Sequence, residues 1–239
     1  MLFRSRYTKL FEAETENDWA ELFFEYARQI GFEFCLFGTV PDKKFPLERA
    51  WIKSSFPAEW LERYFGRGYT VLDTKVSYCM SHTSAVLWVP ESFKGSNQKR
   101  IYEEGCEFGL RAGISLPIHG PDNAYGQLCL AKNTEPNFEF RQFVEEKLPD
   151  ILIFREVVSF SANRFTHSSP GNHVGDLTER EVQCLMHAAR GRTSKHIGQL
   201  LDCTESNINF HITNARRKLR APSRQAAIAT AIQHGKLIL

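Results

Sequence analysis

Residues 204–219 read TESNINFHITNARRKL, and the spacing of their apolar side chains predicts a helix. Thr204 can cap its start, and the apolar positions recur at steps of three or four residues: Ile208, Ile212, Ala215 and Leu219. Because only one face is apolar, this face must pack on neighbouring helices and the polar face must point outward. Two interpretations fit the stretch taken alone. It is a helix that lies in the DNA major groove, or an amphipathic surface helix whose cationic last turn suits the helix dipole.

Three further short helices are predicted around this stretch. Thr178 and Glu181 form a capping box at the head of one, and Thr193 or Ser194 caps the next. A fourth helix follows the quoted stretch. Four short helices with a tight turn between the second and the third are the helix-turn-helix arrangement, in which the third helix reads the groove. The sequence therefore predicts an all-α, four-helix, helix-turn-helix domain over residues 176–239.

Charge separates the chain into two parts. Residues 177–239 hold ten Lys/Arg against four Asp/Glu, a balance of +6, whereas residues 1–176 hold twenty against twenty-four, a balance of −4. A small basic unit behind a mildly acidic larger one suggests a regulatory domain joined to a nucleic-acid-binding one. Between them, residues 161–175 are rich in Ser, Asn, Gly and His and are predicted to form a flexible linker.

Apolar patterning predicts a different architecture for residues 1–160. Dense apolar runs predict strands at residues 32–40, 49–54, 113–118 and 125–131, and helical spacing predicts helices at 17–30, 99–108 and 137–160. Shorter helices are expected around Trp60 and after Asp73, and Pro149 predicts a kink or break in the last long helix. Helices alternating with hairpin-connected strands imply an α+β fold, in which an N-terminal α-β-α sandwich surrounds a central antiparallel sheet.

The composition excludes several classes of protein. Hydrophobic content of 42% with 24% charged residues is that of a globular protein, and no apolar run approaches the roughly 18 residues that a membrane span needs. The N-terminus lacks the features of a signal peptide, so a cytoplasmic location without membrane attachment is expected. The six cysteines form no C-x-x-C pair, which predicts reduced thiols and no metal site. No nucleophile–base pair or catalytic motif emerges, so neither an enzyme nor a cofactor is expected.

Aromatic residues are concentrated around one carboxylate in the middle of the first domain. The group comprises Phe56, Trp60, Tyr64, Tyr69, Trp88 and Asp73. Trp60 and Tyr64 stand four residues apart and therefore share one face of a predicted helix. Such a cluster is either plain hydrophobic core or the wall of a ligand pocket, because pockets are also apolar with a few placed polar groups.

Several motifs taken together resemble the C-terminal DNA-binding domain of the LuxR family. Between residues 177 and 239 these are L-T-x-R-E, G-x-T-S, E-x-N-I-N-F-H and R-R-K-L. Upstream, the signature of that family's autoinducer-binding domain is matched by Trp60, Tyr64, Asp73, Trp88 and Gly113, and the run G-F-E-F-C-L-F-G is similar to the LasR-like subgroup. The resemblance implies a quorum-sensing receptor for N-acyl homoserine lactones that regulates transcription, dimerises and binds a palindromic promoter element.

The resemblance also assigns roles to the residues of the aromatic group. The Trp60 indole N–H would donate to the lactone carbonyl, and the Asp73 carboxylate would accept the amide N–H of the ligand. Tyr64 and Trp88 would form walls around the lactone ring and the start of the acyl chain. The family therefore implies that the cluster is a ligand pocket.

Four positions depart from the family pattern. Phe56 stands where a tyrosine hydroxyl usually meets the acyl carbonyl, and Cys129 stands where Ser or Thr often helps, so donors are lost or weakened. Thr74 replaces a proline. Lys75 puts a cation beside Asp73, where it either forms a salt bridge that competes with the ligand amide or points to solvent. These departures keep a second hypothesis open: an orphan regulator that responds to another small molecule or needs no ligand.

In the helix-turn-helix domain, Asn209 and Thr213 are predicted to face base edges, and cations to meet phosphates, which position the protein without reading sequence. The candidates for DNA contact are Thr193, Ser194, Lys195, Asn207, Asn209, His211, Thr213, Arg216, Arg217 and Lys218. One reading helix covers only one half-site, so a homodimer on double-stranded DNA is expected. The helix at 137–160 is a candidate dimer interface, with core packing as the alternative.

Overall fold

The computed structural model describes residues 4–43, 45–93, 95–120, 124–166, 177–233 and 235–237. The chain forms two compact units, and the described residues up to 166 lie in the first and those from 177 in the second. Within the described ranges, no helix is both long and apolar enough to cross a membrane.

The first unit contains one five-stranded sheet. Its strands are β1 (Phe34–Val40), β2 (Trp51–Ser54), β3 (Val86–Trp88), β4 (Ala112–His119) and β5 (Tyr125–Lys132). Its helices are α1 (Arg4–Glu12), α2 (Glu16–Ile30), α3 (Ala58–Gly66), α4 (Tyr69–Leu72), α5 (Thr74–Ser81), α6 (Ser96–Glu107) and α7 (Phe138–Thr166). The strand order is β2-β1-β5-β4-β3, and all neighbouring strands are antiparallel. The predicted α+β fold with a central antiparallel sheet is confirmed.

Alternating side chains of the strands enter two different layers. In β1, Cys35 and Phe37 pack into a core that includes residues of α1, α2 and α7. Leu36 points to the opposite side, where it packs with residues of α3, α4 and α6. Because successive side chains of a strand face opposite sides, this alternation separates the apolar core from the layer that holds the candidate site.

The first and last helices of the first unit differ from what the sequence predicts. Helix α1 was not predicted, yet its Leu10 is fully buried against the core. Helix α7 continues unbroken through Pro149, so the predicted break is wrong, because Ile151 and Phe154 are fully buried on the sheet and this packing outweighs the cost of the proline.

Helix α7 also extends into the predicted linker. Residues 161–166 are its last turns, and the buried Ser161 hydroxyl accepts a hydrogen bond from Trp19 Nε1 at 2.9 Å. A linker over 161–175 is therefore wrong for its first six residues. The remaining ones, 167–175, lie outside the described residues, as do residues 121–123 between the predicted strands 113–118 and 125–131.

The second unit consists of α8 (Glu179–Ala189), α9 (Ser194–Leu201), α10 (Glu205–Lys218) and α11 (Arg224–Gln233), within the part of the chain that is described. Three helices begin at the predicted caps Thr178, Thr193 and Thr204, and the fourth begins after Ser223; the side chain of each accepts a backbone N–H bond. Between α9 and α10 the chain turns tightly at Asp202, whose φ is 52°. Gly198 permits this turn, since a Cβ there would lie 2.5 Å from the Cys203 carbonyl oxygen. The predicted four-helix, helix-turn-helix domain is confirmed.

Candidate ligand cavity and DNA-reading helix

A cavity of about 130 Å³ lies in the first unit, between one face of the sheet and helices α3 to α6. Its wall includes every residue that the sequence singled out for ligand binding: Phe56, Trp60, Tyr64, Asp73, Lys75, Trp88 and Cys129. The structure therefore brings together side chains from strands β3 and β5, helices α3 and α5 and their adjoining turns. Their role in binding a ligand stays a prediction.

Asp73 owes its position to a junction of two helices. It ends α4 and caps α5, and its Oδ1 accepts the backbone N–H of Lys75 at 2.9 Å. Its Oδ2 accepts the Tyr64 hydroxyl at 3.0 Å, and the side chain is only 4% exposed. Burial, followed by the negative charge of Asp73, raises the pKa of Tyr64 well above its usual value, so Tyr64 remains a neutral donor.

Lys75 forms the salt bridge that was one of its two predicted alternatives. Its Nζ lies 2.9 Å from Asp73 Oδ1, and its side chain is 11% exposed. The ammonium also lies 4.6 Å from the ring centroid of Phe93 and 5.2 Å from that of Trp88. Lys75 thus points into the cavity and not to solvent.

The two tryptophans of the cavity differ in the use of their indole N–H. Trp88 Nε1 donates to the fully buried Ser115 hydroxyl at 2.8 Å. Trp60 is packed among aromatic rings, including Tyr64 with centroids 5.6 Å apart, but its Nε1 has no hydrogen-bond acceptor among the described residues. Trp60 therefore lines the cavity with an indole N–H that has no acceptor within the described structure.

Glycine at position 113 allows Trp88 to lie against the sheet. Gly113 pairs directly with Trp88 across the β3–β4 ladder. A Cβ at Gly113 would lie 2.8 Å from the Trp88 ring and 2.7 Å from the Leu130 carbonyl oxygen, closer than real Cβ contacts. Only a residue without a side chain leaves room for the indole at this place.

Cys129 and Phe56 offer the cavity little hydrogen bonding. The Cys129 sulfur accepts from Gln127 Nε2 at 3.0 Å and lies 3.4 Å from the Ser115 hydroxyl. Burial raises the pKa of the thiol to about 11, although these two neighbours partly offset the effect. Phe56 contacts the Trp88 ring edge to face, with centroids 6.3 Å apart.

The polar partners of these residues were not predicted from the sequence. Ser115 stands directly opposite Cys129 in the β4–β5 ladder, and Gln127 is two residues from Cys129 on the same face. Single polar residues within apolar strands were the available signal. Gln98 was missed as well: its Oε1 accepts both the backbone N–H of Thr74 at 3.2 Å and the Thr74 hydroxyl at 3.1 Å. The threonine that replaces a proline is thus fully bonded.

In the second unit, α10 buries the predicted apolar stripe, which includes Ile208 and Ile212, and leaves a polar face exposed. Seven of the ten predicted DNA-contact residues belong to this helix. The exposed members of the full set are Thr193, Lys195, Asn207, Asn209, Thr213 and Arg217, and those that are partly buried are His211, Arg216 and Lys218.

Two of the predicted DNA contacts have partners inside the unit. Ser194 is 8% exposed, and its hydroxyl accepts from Arg224 at 3.1 Å. Lys218 Nζ lies 2.8 Å from Oε2 of the buried Glu181. Burial alone would raise the pKa of Glu181, but hydrogen bonds from Lys218 and the Thr178 backbone outweigh it and hold that pKa below its usual value. Both side chains are therefore engaged within the unit, and their contact with DNA stays a prediction.

Phe210 is a feature of the exposed face that the sequence reasoning passed over. Its ring is 61% exposed on α10. At about 100° per residue, Phe210 lies opposite the buried Ile208–Ile212 stripe, about 20° from Arg217 and about 60° from Thr213 around the helix. An apolar ring therefore occupies the centre of the face that the helix presents outward.

Sequence profiles of two domain families match the chain. The autoinducer binding domain matches residues 15–158, which contain the cavity, and the domain described as bacterial regulatory proteins, luxR family, matches residues 176–231. The chain is 28% identical over 207 residues to the transcriptional activator protein VanR of Vibrio anguillarum, a match that covers 86% of this chain and 85% of VanR. These matches are to regulators of transcription and not to enzymes.

Solved structures of one protein have the same fold. SdiA of Escherichia coli superimposes with a TM-score of 0.76 at 18% identity, over 99% of this chain and 98% of that one. SdiA in complex with octanoyl-rac-glycerol also gives 0.76 at 18% identity, over 97% and 93%. At this level of identity the likeness concerns the fold alone.

Proposed function

We propose that this chain, which belongs to the LuxR family of transcriptional regulators, is a receptor for N-acyl homoserine lactones in quorum sensing. In this proposal it acts in the cytoplasm as a homodimer and binds a palindromic promoter element. The observation that carries the proposal is that one apolar cavity is lined by both an unused donor, Trp60 Nε1, and a buried acceptor, Asp73.

The polar groups of the cavity match those of an acyl homoserine lactone. The lactone carbonyl can accept from Trp60 Nε1. Asp73 Oδ2 receives the Tyr64 hydroxyl, which leaves it a lone pair for the ligand amide N–H in a site removed from water. Apolar side chains along the rest of the wall suit an acyl chain: Leu36, Val40, Leu47, Ile52 and Val76.

The second unit supports reading of DNA by α10. Asn209 and Thr213 are exposed and hydrogen-bonding, as contact with base edges requires. Thr193, Lys195 and Arg217 are exposed and suit phosphates. Lys218 is better assigned to the interior, because its ammonium is paired with the buried Glu181.

Dimerisation would present two reading helices to two half-sites. The candidate surface for a second copy of the chain is on α7, whose apolar side chains remain exposed at four positions: Phe138, Leu148, Leu152 and Phe160. Exposed apolar residues repeated along one helix are typical of a surface that another chain covers. The same helix buries its other side in the core, so both predicted roles of α7 are compatible.

The alternative hypothesis is a regulator that binds another small molecule. The ion pair between Lys75 and Asp73 favours it, because the ammonium neutralises part of the carboxylate charge that would attract a lactone amide. SdiA, which shares the fold, was solved with octanoyl-rac-glycerol, a ligand without an amide N–H. A ligand of this class would use its oxygens toward Trp60 and Lys75.

Isothermal titration calorimetry distinguishes the two hypotheses. The full chain, purified from a host that makes no lactones, is titrated with acyl homoserine lactones of increasing chain length and with octanoyl glycerol. We expect micromolar or tighter binding of at least one lactone, and weaker binding of the glycerol ester. Binding of the ester by a folded sample that binds no lactone would refute the proposal in favour of the alternative.

A further inference from the structure

The ammonium of Lys75 has more donors than the protein uses. An ammonium carries three N–H groups. Asp73 Oδ1 is its one acceptor among the described residues, and the ring faces of Trp88 and Phe93 lie on two sides of it. Because the side chain is only 11% exposed, its remaining donors gain little from bulk water and are available to an acceptor inside the cavity.

Neither Phe56 nor Cys129, both in the cavity wall, competes strongly for the oxygens of an acyl chain. Phe56 has no polar atom, and the Cys129 thiol is a weak donor whose sulfur already accepts from Gln127. The charge of Lys75 is close enough to Cys129 to lower its thiol pKa against the effect of burial. Lys75 therefore lies near the position at which the wall would otherwise supply a hydroxyl.

Asp73 can keep its ion pair when a ligand is bound. Its Oδ1 accepts both the backbone N–H and the Nζ of Lys75, whereas its Oδ2 accepts the Tyr64 hydroxyl alone. Each carboxylate oxygen has two acceptor positions. One position on Oδ2 therefore remains for a ligand N–H, and Lys75 need not leave Asp73.

We propose that Lys75 is the specificity-determining donor for the acyl chain and selects lactones that carry a second oxygen at C3. Two free N–H groups match two acceptors on one chain, the amide carbonyl and a 3-oxo group two carbons away. An unsubstituted chain satisfies only one of them. This inference rests on the proposed function, because it assumes that the ligand is an acyl homoserine lactone.

The test compares two matched ligands by isothermal titration: N-(3-oxooctanoyl) and N-octanoyl homoserine lactone, each with the full chain. Because the additional hydrogen bond is to a charged group, the wild-type chain should bind the 3-oxo ligand about tenfold more tightly than the unsubstituted one. Lys75→Met keeps a long apolar side chain against the rings and removes the donors, so the preference should fall to about onefold. Lys75→Arg keeps a cation and should retain most of it.

Lys53→Met is the matched control. Lys53 is also a lysine paired with a carboxylate, Glu16, at 2.8 Å, but it does not line the cavity, so this variant should keep the wild-type preference. If Lys75→Met does not fold because Asp73 is left unpaired, the double variant Asp73→Asn/Lys75→Met leaves no unpaired charge and gives the same comparison.

The outcomes separate this inference from the proposed function. Equal affinity of the wild-type chain for the two ligands, or a preference that Lys75→Met leaves unchanged, overturns the role of Lys75 while the lactone receptor stands. Failure of the folded wild-type chain to bind any lactone of the chain-length series overturns both.

Discussion

Replacing each of the two cavity tryptophans by phenylalanine is expected to have different effects: Trp60→Phe should mainly reduce ligand affinity, and Trp88→Phe should mainly reduce folding stability. Trp60 Nε1 has no acceptor within the described structure, whereas Trp88 Nε1 donates to the buried Ser115 hydroxyl at 2.8 Å. Trp60→Phe removes a donor that the free protein does not use. Trp88→Phe removes one on which the free protein depends.

The structure gives the magnitude of each effect on stability. Both substitutions reduce the volume of a buried ring, at a cost on the order of 1 kcal/mol. Trp88→Phe also takes the donor from a fully buried hydroxyl, which adds about 1 to 2 kcal/mol. In a domain of this size the melting temperature should therefore fall by roughly 3 °C for Trp60→Phe and by roughly 5 to 10 °C for Trp88→Phe.

Ligand binding should reverse the order. The loss of one neutral hydrogen bond to the lactone carbonyl predicts an additional weakening of about 1 kcal/mol, or about fivefold, for Trp60→Phe. Titration with N-octanoyl homoserine lactone and with N-cyclopentyl octanamide, which lacks the lactone carbonyl, isolates this contribution from changes in packing. The additional fivefold loss should be seen with the lactone and vanish with the cyclopentyl amide.

Trp88→Phe supplies the control for that comparison. Its affinities for the two ligands should change by the same factor, since its N–H is directed to Ser115. If Trp60→Phe weakened both ligands equally, or if Trp88→Phe showed the lactone-specific loss, the assignment of the free donor would be refuted. A melting temperature for Trp88→Phe as high as that for Trp60→Phe would contradict the stability argument.

Three further predictions concern the scaffold and the reading helix. Gly113→Ala should destabilise the first unit by about 1 to 3 kcal/mol in urea unfolding, because its Cβ has no room, whereas Gly66→Ala, in open space, should change stability by less than about 1 kcal/mol. The pKa of Glu181 is lower in the folded state, so the stability that its carboxylate contributes is present above the unfolded-state pKa and is lost as the pH falls through the folded-state pKa. Glu181→Gln should therefore be less stable than the wild-type chain at pH 7 and should lose less unfolding free energy between pH 5 and pH 3. An equal loss in the two proteins would contradict this. Phe210→Ala should weaken binding to a selected DNA site about tenfold, because the exposed ring is expected to contact a thymine methyl group. Replacing that thymine with uracil removes the methyl group and should lower the affinity of the wild-type chain but not that of the variant. A loss of affinity with uracil that persists in the variant would exclude the contact.

The sequence was most informative where local interactions determine structure. The caps at Thr178, Thr193 and Thr204 were predicted because a hydroxyl followed by an apolar repeat marks a helix start, and such bonds span only three residues. The cavity wall was predicted through Trp60 and Asp73 from a resemblance, since neither spacing nor composition distinguishes a pocket from a core.

Long-range packing explains the errors. Pro149 normally interrupts a helix, but the burial of Ile151 and Phe154 keeps α7 continuous. Residues 161–166 have the composition of a linker, yet Ser161 is fixed by Trp19, which is 142 positions away. Ser194 stays a predicted DNA contact, but its hydrogen bond from Arg224, 30 positions away, was not predicted. None of these partners can be identified from the neighbouring sequence.

The departures from the family pattern form one rearrangement of hydrogen bonds when they are considered together. Thr74 brings an N–H that proline lacks, and Gln98 accepts it, so the start of α5 is held without proline. The same turn directs Lys75 toward Asp73 and into the cavity. Phe56 offers the wall no hydroxyl and Cys129 offers only a thiol, and burial raises the pKa of that thiol while the nearby charge of Lys75 partly offsets the rise. A cavity that had only lost hydrogen-bond donors would bind every acyl chain weakly. A cavity in which a cation takes the place of the hydroxyls should instead bind more tightly those acyl chains that carry an additional oxygen. The 3-oxooctanoyl and octanoyl lactones measure this difference in affinity.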